Sequence, residues 1–531
     1  MRRIKKRYVG MVFLASILQT SSSCSSLASQ RIGTSARDTT QTARASSIAD
    51  HMSVLADDSM SGRATGSPGY DAAARYVARQ FERAGASPVG RDHWLQSVPL
   101  LERSIDARNT SLTLKVGSEP PRIFAVDSDF VLTQPRSSPA DIDAQVISVG
   151  FGLTVPEWNH DDYGGLDVRG KIVAFIPGSP ASFSRDERVY YETTKIRNAA
   201  AHGAIAAIRV WTPAEEKVEP WTRAVGAYRD AGLFRFSLSA DDADTSRDIE
   251  SIWAGPSISK LLLDSSTSVA RTARLRVRGA ARTISSANVI GVVSGSDPRL
   301  RNELVAVTAH LDHLGIAKPV RGDSIYNGAI DNASGVAAVI ELARMFATTK
   351  VKPKRSLVFI AFTAEEPGSL GSEYFVRHKL DGIGSIVANV NIDGISMWPF
   401  DGIVARGAEH STIAAMIEIA AQKAELRVAP DPTPMRYGIG GSDQYSFMTH
   451  GIPAVIVAST RSGAARELAL DWVNTRYHAP GDDMNQPLDF DAAAKFTDGL
   501  RAIVFEIANS AERPRWNEAS FFRRFASGAP R

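Results

Sequence analysis

Apolar positions in the second half of the chain fall into short aliphatic runs separated by amphipathic stretches. The runs Asn288 to Val293, Leu304 to Ala309, Leu357 to Phe362, Ile386 to Val390 and Pro453 to Val457 predict strands. Between and after them, Val336 to Phe346, Ile413 to Ala424 and Asp491 to Ala508 predict helices. Near-continuous aliphatic strands alternating with helices predict an α/β fold, with a mixed, largely parallel sheet covered by helices on both faces. Repeats of 20 to 50 residues are missing from the sequence, which disfavours solenoids and propellers.

Upstream the pattern changes. Ser67-Pro68 reads as a helix cap with a first-turn proline, Tyr76, Val77, Phe81 and Ala84 keep helical spacing, and Gly85 suits the stop, so a helix is expected from about 68 to 84. Between 135 and 280, Val146 to Phe151, Lys171 to Ile176 and Ala204 to Val210 read as short strands and Thr193 to His202 as a helix. A smaller domain inserted at 135–280 is the expectation, with Thr212 to Ile258 resisting assignment. The first part of the main domain is then 48–134 and its larger part 281–511, followed by a tail at 512–531. Residues 29–47, rich in Ser, Thr, Ala and Arg, read as a flexible spacer.

The 531 residues are 44% apolar and 22% charged, ordinary for folded globular chains and unlike a multispan membrane protein. Arg2, Arg3, Lys5, Lys6 and Arg7 precede the apolar run Val9 to Leu18, with small residues Ser26 and Ala28 beyond, which is the layout of a signal peptide over 1–28. Export to a periplasmic or extracellular location follows, with no membrane span, since the apolar run is too short to cross a bilayer. Cys24, the only cysteine, lies in this leader, so a chain cut at about Ala28 carries no thiol and forms no disulfide; lipid attachment at Cys24, which would make the protein an envelope-anchored lipoprotein, is the alternative. The net charge of +3 includes the five leader cations, leaving +3 − 5 = −2 on the mature chain, which argues against nucleic acid as a partner.

Candidate chemistry collects at predicted strand ends, where ligands gather in open α/β sheets. Leu304 to Ala309 runs into His310-Leu311-Asp312-His313, Leu357 to Phe362 into Glu365-Glu366, and Ile386 to Val390 into Asp393. Asp331-Asn332-Ala333-Ser334-Gly335 precedes a predicted helix, and Tyr477-His478 lies on a loop. Histidines with several carboxylates suit zinc first, with manganese or cobalt also possible, and are numerous enough for two ions. On an extended segment neighbouring side chains point to opposite sides, so one of Glu365 and Glu366 can bind metal while the other faces substrate. His313 reads as structural or as support for a ligand, and Asp482-Asp483 as a solvated turn.

These motifs resemble the M28 family of zinc aminopeptidases: His310-Leu311-Asp312-His313-Leu314-Gly315, Asp331 to Gly335, Ala364-Glu365-Glu366-Pro367-Gly368, Asn391-Ile392-Asp393, Ser442-Asp443 and Tyr477-His478 stand in the family's order. The resemblance implies a zinc-exopeptidase-like fold and two zinc ions. It makes Asp331 the bridge, His310 and Asp393 ligands of one ion, and Glu366 and His478 ligands of the other. It also implies Glu365 as general base, Asp312 as acceptor of a hydrogen bond from the His310 ring, Tyr477 as donor to the oxyanion, and a cis peptide after Asp331. The insertion resembles a protease-associated domain, through Asp161 to Lys171 and Ala199 to Ala207. Gln444 and Gly394 stand where the family often has His and Met, which puts the substrate pocket in question.

The implied function is removal of N-terminal residues from peptides or proteins. A single-zinc glutaminyl cyclotransferase, a carboxypeptidase or dipeptidase on the same fold, and a receptor-like binding module remain as alternatives. Side-chain preference and oligomeric state are not written in these motifs.

Overall fold

The computed structural model describes residues 35–89, 94–134, 139–218, 220–225, 234–238, 249–263, 269–378, 380–431 and 439–526; the leader with Cys24 lies outside them. Eight strands form the main sheet in the order Phe234–Leu238, Leu95–Ile105, Gly279–Val293, Ser356–Phe362, Glu303–His310, Ser385–Asn391, Ala454–Thr460 and Gly402–Arg406. Each predicted strand of the second half is present. Successive residues alternate between two cores: Val305, Val307 and Ala309 face one side with Leu357, Phe359 and Ala361, whereas Leu304 and Ala306 face the other with Val358, Ile360 and Phe362. Both faces being apolar explains the unbroken aliphatic runs.

The sheet is parallel only at its centre, where Ser356–Phe362, Glu303–His310, Ser385–Asn391 and Ala454–Thr460 share one direction. Antiparallel pairs flank them on both sides, which corrects the largely parallel expectation. Parallel neighbours need a crossover element. The helices Gly335–Thr348 and Leu370–Arg377 supply it between the central strands. A strand buried on both faces has the same composition in either direction, so its sense is not legible from hydrophobicity.

The helix Pro68–Ala84 forms as expected, with the Ser67 hydroxyl accepting from the Tyr70 N–H and Gly85 closing it at φ +88°. The spacer does not hold as one: residues 35–47 belong to the helix Ser35–Leu55. Ala45, Ile48, Met52 and Leu55 are buried at helical spacing in the core they share with the helix Phe490–Asn509, and Arg44 pairs with Asp498 at 2.9 Å. With only an alanine marking the buried face before Ile48, the apolar stripe is too faint to read from sequence.

A second eight-stranded sheet lies between Ile105 and Gly279, so the insertion is longer than 135–280 at its start. Its strands include Ser111–Val116, Arg122–Ala125 and Phe130–Gln134, upstream of the expected boundary, and Ile172–Phe175 and Ala206–Val210 inside it. The stretch that resisted assignment sends Phe234–Leu238 back to pair with Leu100 to Ser104 at the edge of the main sheet. The tail packs too: Phe522 is fully buried, and the ring of Tyr190 in the insertion sits 5.1 Å from that of Phe525. Among the described residues no helix is long and apolar enough to cross a membrane.

Placing a carboxylate in the buried face of the first helix tests whether it docks. Ala45→Asp should lower stability by more than about 2 kcal/mol in chemical denaturation, because the charge would be buried unpaired; an unchanged midpoint would mean that residues 35–47 are free of the core.

Candidate metal centre

Strand register brings the first donors together. His310 lies opposite Phe362 and Thr308 opposite Asn391, so the exits of two neighbouring strands carry Glu365-Glu366 and Asp393 to either side of His310. The fourth segment is the irregular turn Ala329–Ser334, which leads into the helix Gly335–Thr348 and carries Asp331. The Asp331–Asn332 peptide bond is cis, as the resemblance implies.

The composition of this turn has a physical reason at each position. The Asn332 amide donates to the Ile392 carbonyl at 2.9 Å, while its oxygen accepts from the N–H groups of Gly335 and Gly394 at 3.0 and 2.8 Å. The Asp331 and Asp393 loops are thereby tied together. Ser334 donates to the Ile330 carbonyl and accepts from the Ile395 N–H. A Cβ on Gly335 would lie 2.7 Å from the Ile392 carbonyl, so only glycine fits.

Asp331 presents one carboxylate oxygen to each of two groups. Its Oδ1 lies 3.1 Å from His310 Nε2, which in turn is 3.2 Å from Asp393 Oδ1. Its Oδ2 lies 3.2 Å from His478 Nε2, which is 3.2 Å from Glu366 Oε2. Donors about 2.1 Å from a shared zinc at tetrahedral angles stand about 3.4 Å apart, so both groups have the spacing, and the nitrogen and oxygen chemistry, to hold zinc. His313 reaches the second group from behind, its Nδ1 2.6 Å from Glu366 Oε1. His313, Asp331 and Glu366 also place donor atoms within 4.8 Å of one another. His478 Nε2 touches both carboxylates, whereas His313 hydrogen-bonds to Glu366 alone.

Charge in the cluster is tightly balanced. Burial opposes ionisation of Asp331, but the hydrogen bonds from His310 and His478 outweigh it and hold its carboxyl well below the usual range. Burial likewise opposes charge on His310 and His478, and the surrounding carboxylates outweigh it, raising both imidazoles well above their ordinary values. The cluster therefore draws cationic charge toward itself. Glu365 is shifted the other way: burial, with the nearby Asp393, Asp443 and Glu366 carboxylates, raises it well above the ordinary carboxylate range against the pull of His310. A cleft of about 270 Å³ opens over these groups, walled by Gly368, Ser369, Gly440, Gly441 and Tyr477.

Two expected details differ. The His310 ring is held by the backbone carbonyl of Asp312, 3.1 Å from Nδ1, and not by its carboxylate. The tight turn after the strand points that carbonyl at the ring and frees the side chain to accept from the N–H groups of Glu365 and Glu366 and from Thr65. Asp312 thus orients the Glu-Glu pair, and burial raises its carboxyl to about 6. Gln444 does not face the cleft. It is buried behind it, donating to the Ile439 carbonyl at 2.8 Å and accepting from Asn391, so it braces the backbone that leads to Gly440. Tyr477 stacks on His478 with ring centroids 3.9 Å apart and stays half exposed at the cleft.

Asp482, read from sequence as a solvated turn, is fully buried. Its carboxylate accepts from the N–H groups of Ile330 and Asp331, from Trp472 Nε1 and from Gln486 Nε2, all within 3.2 Å. It ties the backbone of Asp331 to the segment that carries His478. The adjacent Asp483 made the pair look like a charge run; the aromatic and amide partners at 472 and 486 were the available signal.

Donor groups of this kind at the carboxyl edge of an α/β sheet form a candidate metal-binding site. Residues 288–504 match the model of peptidase family M28. A probable zinc metalloprotease of Pyrenophora teres f. teres (strain 0-1) is 27% identical over 198 residues, 37% of this chain and 39% of the relative. Aminopeptidase YwaD of Bacillus subtilis (strain 168) is 28% identical over 248 residues, 47% of this chain and 44% of the relative. The chain thus spans less than half the length of these relatives. An aminopeptidase from Aneurinibacillus sp. strain AM-1 shares the fold at a TM-score of 0.54 and 22% identity, covering 89% of this chain and 98% of that one.

Asp482→Ala should leave the N–H groups of Ile330 and Asp331 without a partner, costing about 1–3 kcal/mol or more of stability. Thermal unfolding with chelator present isolates this effect from metal binding; an unchanged melting temperature would contradict the tie.

Proposed function

We propose that the protein is an exported aminopeptidase that removes N-terminal residues from peptides, with two zinc ions and Glu365 as general base. The observation that carries the reading is the Asp331 carboxylate, turned with one oxygen toward His310 and Asp393 and the other toward His478 and Glu366. In this reading Asp331 bridges, and the other four are terminal ligands. The zinc-protease names of the relatives and the aminopeptidase fold of the structural neighbour support the metal and the class.

Zinc, when bound, supplies Lewis acidity that polarises the scissile carbonyl and acidifies water. The chain's own residues handle the proton. Glu365, in its carboxylate form, takes a proton from the attacking water as the C–O bond forms. It returns that proton to the amine nitrogen as the C–N bond breaks. Asp312, through the backbone N–H groups of Glu365 and Glu366, fixes where that carboxyl sits. Tyr477 at the rim offers its hydroxyl as a hydrogen-bond donor to the carbonyl oxygen as negative charge develops there, keeping its proton.

Purified protein should hydrolyse amino-acid p-nitroanilides, lose activity to a chelator and regain it with zinc. Glu365→Gln should lower kcat about 10²–10⁴-fold while zinc content stays unchanged; wild-type rates in that variant would sink the mechanism. Export is tested by the mass of the chain recovered from cells. Cleavage near Ala28, or lipid on Cys24, is expected, and an intact leader on active protein would contradict it.

A further inference from the structure

A fully buried arginine sits beneath the cluster, and neither the proposed chemistry nor any motif accounts for it. Arg63 has no exposed surface, and the hydrogen bonds of its guanidinium run to backbone carbonyls. Nε donates to Leu311 at 2.9 Å, one nitrogen donates to Leu55 and Asn327 at 2.5 and 2.6 Å, and the other donates to Gly328 at 3.0 Å. Leu311 lies between His310 and Asp312, and Asn327-Gly328 leads into the turn that carries Asp331. The Arg63 carbonyl also accepts from the His313 N–H at 3.2 Å. One planar fork therefore touches both segments whose side chains meet at the shared vertex of the cluster.

The backbone is bent to deliver it. Ser61, Gly62 and Arg63 take φ values of +49°, +65° and +50°, three successive left-handed residues. A Cβ on Gly62 would lie 2.6 Å from the Gly315 carbonyl, so the turn is wedged tightly against the strand that follows the His310 motif. Left-handed conformations at non-glycine residues persist only where the surroundings enforce them. Burial draws the guanidinium down to about 10, opposed by Asp331, Asp482, Asp312 and Glu366, so it remains a cation at neutral pH.

We infer that Arg63 is a positioning residue for the metal centre: its fork sets the separation between the His310 and Asp331 segments, and its charge offsets part of the carboxylate charge above it. This rests on the metallopeptidase reading. A lysine can replace the charge but not the fork, because an ammonium cannot span these carbonyls in one plane.

The test compares wild type with Arg63→Lys and Arg63→Met by zinc titration against a chromogenic chelator, by the visible spectrum of cobalt-substituted protein, and by circular dichroism. Folded Arg63→Lys should bind zinc about 10–100-fold more weakly. Its cobalt spectrum should be altered, and kcat should fall more than KM rises. Zinc affinity and cobalt spectrum matching wild type would overturn the inference. It is equally overturned if both variants fail to fold even in excess zinc, because Arg63 would then serve the fold as a whole. Failure of wild type itself to take up zinc would instead sink the proposed function.

Discussion

Carboxylates crowd the edge where the central strands end: Asp331, Glu365, Glu366 and Asp393 at the cleft, with Asp312, Asp443 and Asp482 buried around them. Two unit charges 4 Å apart at an effective dielectric of about 20 interact by about 4 kcal/mol, a large part of a domain's whole stability of about 5–15 kcal/mol. So many like charges are tolerable only with cations or protons among them. Histidines drawn toward protonation, Asp443 pushed up to about 7 chiefly by burial, and an arginine held under the cluster are three answers to that one constraint. A site that gathers positive charge this strongly suits a cation.

The central strands and the helices between them were legible because they are buried on two faces or one, and burial writes itself as hydrophobic period. The candidate site residues were legible for a different reason, as members of short motifs: His310, Glu365, Glu366 and Asp393 stand at or just after strand ends, whereas Asp331 precedes a helix and His478 lies on a loop. Arg63 and Asp482 were not. Arg63 acts on carbonyls some 250 residues further along the chain, and backbone carbonyls have no side-chain signature. Asp482 looked like half of an acidic pair until its four donors were placed around it.

Motif logic names a residue more securely than it names the atom that acts. Asp312 supports His310 through its carbonyl and the Glu-Glu pair through its carboxylate, and sequence cannot apportion those tasks. Gln444 occupies a position that looked like part of the pocket yet works from behind it, holding the Ile439 carbonyl. Boundaries of the insertion failed similarly, since half-buried antiparallel strands such as Ser111–Val116 have the same alternation in either sheet.

The strand Phe234–Leu238 has a bearing on solubility. The eleven-residue strand Leu95–Ile105 would otherwise lie at the margin of the main sheet with one row of its backbone groups open along Leu100 to Ser104. Unpaired strand margins recruit other chains. By returning a strand to that margin, the insertion covers Leu100 to Ser104 and leaves an edge strand of five residues in place of one of eleven, and short edge strands are one way in which chains blunt intermolecular β-pairing.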